Sequence, residues 1–380
     1  MKYINMYNLE NNTHELISLM VNKTWYTNNT KQLLYNMIVE QMVLEQPQLL
    51  TDEDKYNWLR GFIDAEGNFN INLRLDNKYP RCEFMFAMNL HHEDMKTLNK
   101  VLNYLNIKNT LYENKDIIGF KVSNKETITN KVMPMLKKYP FLTKKNYDFE
   151  TYCQAHDTHN NMTPRNMKYN LTMLNKIKPL KELTNKYNDM DKFPSLEFTN
   201  NHMNNYWMVG FIEGDGSFHI NNNLLLGFKL GQRKESINAL MSTINYIKNQ
   251  PLENNCSINI KDINPIYLDG KTKAQMSMGY NDFLYWQLMP YLLKFKFQSR
   301  KGYDLTIWIL FVIIKQHGLH KYSLFQELFN YIKNNHNSKR YNKLTYPSIY
   351  KFEEMFNCSD IYDKQLTQDQ NARKHRNKIY

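Results

Sequence analysis

The 380-residue chain predicts an α+β fold of two pseudo-symmetric αββαββα domains, and three observations carry that prediction. The segment Trp58-Leu-Arg-Gly-Phe-Ile-Asp-Ala-Glu-Gly67-Asn-Phe returns 149 residues later as Trp207-Met-Val-Gly-Phe-Ile-Glu-Gly-Asp-Gly216-Ser-Phe. Further on, Phe141-Leu-Thr-Lys-Lys145-Asn-Tyr-Asp148 returns 156 residues later as Phe297-Gln-Ser-Arg-Lys301-Gly-Tyr-Asp304. After each copy of the first segment the apolar period switches from helical to strand-like, so the repeat is structural as well as literal.

Element by element, Thr51 with Asp54 three residues later forms a capping-box start, and Tyr56–Glu66 reads as a helix ended by Gly67. From Asn68 to Leu75 the pattern alternates strictly, with Phe69, Ile71, Leu73 and Leu75 on one face and Asn68, Asn70, Asn72 and Arg74 on the other. Arg81–Leu90 reads as a second strand, Glu93–Asn106 as an amphipathic helix, Thr110–Ser123 as a hairpin and Lys125–Lys138 as a helix. The second copy repeats this with strands Ser217–Asn221 and Leu226–Leu230 and a longer hairpin near Ser257–Tyr280, and Trp308–Ile314 reads as core helix. The expected boundaries are an N-terminal extension over 1–50, domains over 51–156 and 206–345, a linker over 157–205, and a basic tail over 346–380. A helix is expected near Leu171–Thr184 in the linker and an amphipathic one near Lys31–Glu45 in the extension.

Forty-nine Lys and Arg against 37 Asp and Glu leave a net charge of +12, which favours a polyanionic partner: nucleic acid first, a membrane surface second. The longest apolar run, Thr306–Ile314, is far too short to span a bilayer, so a soluble chain with no membrane partner is expected. Cys82, Cys153, Cys256 and Cys358 form no CxxC pair and predict reduced thiols. Roughly fifty asparagines, scarce alanine, and 21 Met against 12 Gly fit AT-rich coding in an organelle genome, and hence a mitochondrial address.

Gly61 with Ala65, and Gly210 with Gly214, place small residues at i and i+4, a spacing that lets two helix backbones approach closely. The two motif helices are therefore expected to pack together, which would bring Glu66 and Asp215 to one place, each at the negative end of its helix. A divalent cation held by these carboxylates and by terminal carbonyls, such as those of Ala65 and Gly214, would relieve the conflict. Asp64 and Glu213 lie about 200° around the helix from the seam and are expected to be solvated or locally hydrogen-bonded. Lys145 and Lys301 recur at equivalent places and are expected to share a task, either stabilising charge that develops at a bound phosphate or positioning the attacking water. His91, His92, His156, His159, His317 and His320 lack zinc spacing. On the outer strand faces Asn70, Asn72, Arg74, Arg81 and Glu83, with Ser217, His219, Asn221 and Lys229 in the second copy, carry groups able to match base edges.

Leu59 to Gly67 and Met208 to Gly216, with the downstream lysines, resemble the two signature motifs of the LAGLIDADG homing endonucleases and intron maturases over about 51–345. The resemblance implies a monomer with pseudo-twofold symmetry, saddle-shaped antiparallel sheets in the DNA major groove, and the motif helices as the interface between halves. It also implies that Glu66 and Asp215 bind Mg²⁺, with Mn²⁺ able to replace it, and that each active site cuts one strand of a long double-stranded target. Glu66 in place of Asp, and Arg60 at a position often held by a small residue, depart from the family pattern. Two functions remain open on this reading: a site-specific DNA endonuclease leaving 5′-phosphate and 3′-hydroxyl ends, or a maturase holding group I intron RNA without chemistry of its own. A bifunctional protein would combine them. Retention of both acids favours the nuclease.

Overall fold

A computed structural model describes residues 50–75, 80–161, 167–184, 193–221, 225–251, 265–295, 297–316 and 320. The expected helix at 31–45, the start of the second long hairpin, Cys256, Cys358 and the basic tail lie outside the described residues.

The first half runs α1 (Asp52–Glu66), β1 (Gly67–Arg74), β2 (Arg81–His91), α2 (Met95–Tyr104), β3 (Tyr112–Asn114), β4 (Ile117–Val122) and α3 over 125–138. Thr51 caps α1 reciprocally with Asp54, so the helix starts at Asp52, a turn before the apolar period that predicts it. Beyond the expected αββαββα unit comes α4 (Lys145–Asn160). Its buried Phe149, Tyr152, Cys153 and His156 follow helical spacing and hold it on the sheet. Helices α5 (Met167–Leu183) and α6 (Leu196–His202) form the connection; α5 packs on α4 through Met173, Leu174 and Ile177.

The second half repeats the order with α7 (Asn205–Asp215), β5 (Gly216–Ile220), β6 (Leu226–Arg233), α8 (Ile237–Lys248), β7 (Ile266–Asp269), β8 (Lys273–Met278), α9 over 281–293 and α10 (Lys301–Gln316). Each half holds one antiparallel four-stranded sheet, ordered β1-β2-β4-β3 and β5-β6-β8-β7.

The halves build their cores from equivalent side chains. Phe69 stacks on Phe86 and packs against Phe141, Phe149 and Tyr152; Phe218 packs, with tilted rings, against Phe228, Phe297 and Trp308. Each such aromatic stabilises its half by roughly 1.5–3 kcal/mol on burial, enough in sum to clamp each sheet to its helices.

Between the halves, α1 and α7 pack side by side with their C-termini together. A Cβ added to Gly61 would lie 2.0 Å from the Trp207 carbonyl oxygen, and one added to Gly210 would lie 2.1 Å from that of Trp58. Near the bottom of the contact, a Cβ on Gly214 would lie 2.2 Å from that of Ala65. Backbone touches backbone here, which only glycine permits. At the other end Asn204 caps α7 through the Trp207 amide and donates to Asn57 Oδ1 of α1 at 2.7 Å.

Gly210→Ala is therefore expected to destabilise the protein by about 1–3 kcal/mol or more through overpacking, read as a lower urea midpoint. Unchanged melting would mean that the helices do not meet.

Candidate active site

Each motif acid is the last residue of its helix, and the glycine after it starts a strand directly: Gly67 and Gly216 are both extended, with φ of −70° and −71°. A Cβ on Gly67 would strike Ile63 and one on Gly216 would strike Ile212, so glycine is needed for a tight helix-to-strand exit rather than for a left-handed turn. This exit leaves Glu66 and Asp215 half-buried and adjacent. Burial and the neighbouring Glu66 push the Asp215 carboxyl up to about 7. Burial also raises Glu66, with Lys301 and Lys145 opposing.

The carbonyls that end both helices are occupied by the recurrent lysines. Lys145 Nζ donates to the carbonyls of Ala65, at 3.3 Å, and Gly67; Lys301 Nζ donates to those of Gly214 at 2.9 Å and Gly216 at 2.5 Å. Each ammonium thus offsets the negative end of a motif helix. Burial lowers the pKa of both lysines against the pull of the surrounding acids.

Asp64 and Glu213 correct the sequence expectation. They are 2% and 3% exposed, not solvated, and their partners are far away in sequence. Asp64 accepts from the Leu142 amide at 2.7 Å, from the Thr143 hydroxyl, and from Trp207 Nε1 at 3.1 Å. Glu213 accepts from the Ser299 amide at 2.6 Å and hydroxyl at 3.0 Å, and from Trp58 Nε1. The indoles cross: each motif tryptophan donates to the acid of the opposite helix. The same acids fix the two segments that lead into Lys145 and Lys301. Their recurrence at the 149-residue offset of the motif is the signal in the sequence that points to them.

Arg60 is 2% exposed and donates to the carbonyls of Pro140 at 3.2 Å and His202 at 2.7 Å. His156 is buried beside Phe84. His91, His92 and Glu93 bring potential ligand atoms together, but the Arg300 guanidinium already contacts Glu93 and lies 3.2 Å from His91 Nδ1. Gln232 of β6, which sequence reasoning missed, donates to Asp215 Oδ2. Beside Glu66 opens a cleft of about 540 Å³ lined also by Leu90, Asp94, Asp116, Arg300 and Lys301 among others.

The sheet faces turned away from the helices carry the remaining candidates. Asn70 and Arg74 are exposed, Asn72 donates to Glu83 at 3.3 Å across the pair, and Arg74 faces Arg81 directly. Two opposed guanidiniums repel and so favour an anion. Ser217 faces Lys229, His219 lies over Gly227, and Asn221 is exposed at the strand end. The outer hairpins add residues the sequence reading left unassigned: Tyr112 bonds Asn89 under Lys121, and Tyr267 donates to Gln275 at 2.7 Å beside Lys273 and Arg233. Strand alternation in those hairpins could have found them.

The model of the LAGLIDADG endonuclease family matches residues 59–156. An uncharacterized mitochondrial protein RF1 of Saccharomyces cerevisiae is 31% identical over 331 residues, covering 83% of this chain and 67% of that protein. The chain belongs to the LAGLIDADG endonuclease family. A probable intron-encoded DNA endonuclease 1 of Mycosarcoma maydis is 26% identical over 200 residues, 47% of this chain and 70% of that one. Among solved structures, the LAGLIDADG homing endonuclease I-GzeII in complex with its DNA target superposes with a TM-score of 0.62 at 21% identity, covering 75% of this chain and 99% of that one. The two four-stranded sheets and the paired motif helices are thus the LAGLIDADG two-domain fold, carried in one chain.

Because the folded Asp215 carboxyl titrates near 7, above its ordinary value of 3.8, the folded state binds more protons than the unfolded one between those values. Stability from this group is full below about pH 4 and is lost as pH rises to about 7. Asp215→Asn should remove that share of the decline and raise the urea midpoint at pH 7.5 in metal-free buffer, relative to pH 5. Parallel wild-type and variant curves would remove Asp215 from the buried pair.

Proposed function

We propose that this LAGLIDADG protein is a site-specific double-strand DNA endonuclease with one active site per strand. The observation that carries the reading is the pair of motif acids at the joined helix ends, each with its own lysine, repeated about one pseudo-twofold axis. Two such centres suit the two strands of a duplex. The net charge of +12 and the polar sheet faces support DNA as partner, as do the DNA targets bound in solved relatives. A protein that only holds group I intron RNA would not require both acids. A monomer with domains over 51–156 and 206–345, joined by 157–205, fits the internal repeat, with α4 running through the first boundary. The mitochondrial relative and the asparagine-rich composition support a mitochondrial address.

A divalent cation fits the donor set, because among the described residues the helix ends offer hard oxygen ligands, and burial together with the neighbouring Glu66 holds Asp215 near 7. Glu66 and Asp215 would hold it, with the carbonyls of Ala65 and Gly214, which have a second lone pair beside the lysine contacts. One solved relative was obtained with calcium ions. Mg²⁺, with Mn²⁺ as a substitute, would supply the positive charge that activates phosphodiester hydrolysis. In that reaction a water oxygen bonds to phosphorus, the phosphorus–O3′ bond breaks, water loses a proton and the 3′ oxygen gains one. Lys145 and Lys301 stabilise charge developing on the phosphate. Asp64 and Glu213 position them.

Incubating the full chain and Mg²⁺ with the host's organelle DNA should give one dominant double-strand break on mapping. DNA left intact, with intron RNA bound tightly, would replace this reading by a maturase. Glu66→Gln and Asp215→Asn should each abolish cleavage of one strand while binding persists, since size is kept and charge removed; wild-type rates in both would sink the assignment. Arg74→Ala should relax discrimination at one or two base pairs, by about 1–3 kcal/mol for a bidentate contact. A uniform loss over random sequences would show that Arg74 holds phosphate.

A further inference from the structure

The two halves are not chemically equal at the cleavage centres. In β1–β2, Gly67 pairs with Met88; in β5–β6, Gly216 pairs with Leu230. Two residues beyond those partners stand Leu90 and Gln232, and a 3₁₀ turn follows each at the same spacing, His92–Asp94 and Lys234–Ser236. Leu90 and Gln232 are therefore equivalent positions, as are Asp94 and Ser236.

Three differences result. Gln232 donates an amide hydrogen to Asp215 Oδ2, which fixes that carboxylate, whereas Leu90 lines the cleft beside Glu66 with no polar atom to offer. Ser236 is neutral and its hydroxyl accepts from the Lys144 amide at 2.9 Å; Asp94 instead places a carboxylate on the cleft that Glu66 lines. Arg300 offsets part of that charge, with Nε 3.4 Å from Asp94 Oδ2. Glu66 is also one methylene longer than Asp215 and so has one more torsion to fix. All three differences act in one direction. An attacking water is best placed by a carboxylate held in one rotamer and a neighbouring group that both donates and accepts; Gln232 supplies both beside Asp215, and Leu90, at the equivalent position beside Glu66, supplies neither.

We infer that the half-site built on Asp215 and Gln232 cuts its strand faster than the half-site built on Glu66 and Leu90, so that cleavage passes through a duplex nicked in one strand. The inference rests on the endonuclease reading above and goes beyond it, because the internal symmetry alone predicts equal rates.

The test uses the full chain and a duplex recovered by binding from a randomised pool, labelled separately on each strand and cut in Mg²⁺. The strand silenced by Asp215→Asn should be cut at least about tenfold faster than the strand silenced by Glu66→Gln, with the nicked duplex building up first. Gln232→Leu should slow the fast strand by about 10- to 100-fold and leave the slow one unchanged. Leu90→Gln combined with Asp94→Ser should speed the slow strand. A readout independent of cleavage comes from the NMR signals of the Gln232 side-chain amide in metal-free protein, which its hydrogen bond to Asp215 should hold shifted and which Asp215→Ala should return to the free-amide position. Equal strand rates, or a fast strand silenced by Glu66→Gln, would overturn the inference and leave the endonuclease standing. A duplex bound but never cut would overturn both.

Discussion

Everything in this protein hangs on the contact between two helix backbones. At Gly61 and Gly210 the chains approach so closely that a single methyl group on either would collide with a carbonyl oxygen of the other helix. That closeness has an electrostatic cost. Two negative helix ends and two carboxylates are brought together in a half-buried place, and burial with Glu66 beside it holds Asp215 near 7. The conflict is offset locally by Lys145 and Lys301, whose ammoniums rest on the last carbonyls of each helix. A strained arrangement of like charges is what a site for a doubly charged cation requires, and the fold supplies it through packing rather than through a dedicated loop.

Precision comes from a second layer of contacts behind the first. Trp58 and Trp207 reach across the helix pair to Glu213 and Asp64, and those buried acids hold the segments that deliver the lysines. Loss of either acid would leave an indole N–H and two donors of a lysine segment without a partner, and unmet buried donors cost about 1–3 kcal/mol each. The helix contact and the lysine positions are thereby coupled: the halves cannot slide without dragging the charged groups from the helix ends. Similar links run between halves elsewhere, as where Arg300 meets Glu93 and Asp94 or Lys100 meets the Gln298 carbonyl at 3.0 Å.

Much of this was legible in the sequence because it is written twice. Repetition exposed the motif helices, their terminal acids and the downstream lysines, and strand alternation exposed the polar face of β1, where Phe69 and Ile71 are buried and Asn70 and Arg74 exposed. What escaped was anything whose meaning depends on a partner far along the chain. Asp64 looked like a surface acid because its ligands, Leu142, Thr143 and Trp207, are 78 or more residues away. Helix α4 escaped because its core-facing residues include Cys153 and His156, which are poor markers of an apolar stripe. Gln232 has no counterpart in the first half, where Leu90 stands, so a search for repeats could not find it. Symmetry reveals shared devices and hides those that one half alone has kept.

The central claim is that the helix contact forces Glu66 and Asp215 into one electrostatic site. A double-mutant cycle of Glu66→Gln and Asp215→Asn, measured as unfolding free energy in metal-free buffer at pH 8, tests it most directly. Either change alone relieves the same repulsion, so the double variant should gain less stability than the sum of the singles, by about 0.5–3 kcal/mol, and Ca²⁺ should stabilise the wild type more than either single variant and the double variant least. Additive gains and no response to Ca²⁺ would show that the two carboxylates do not share a site.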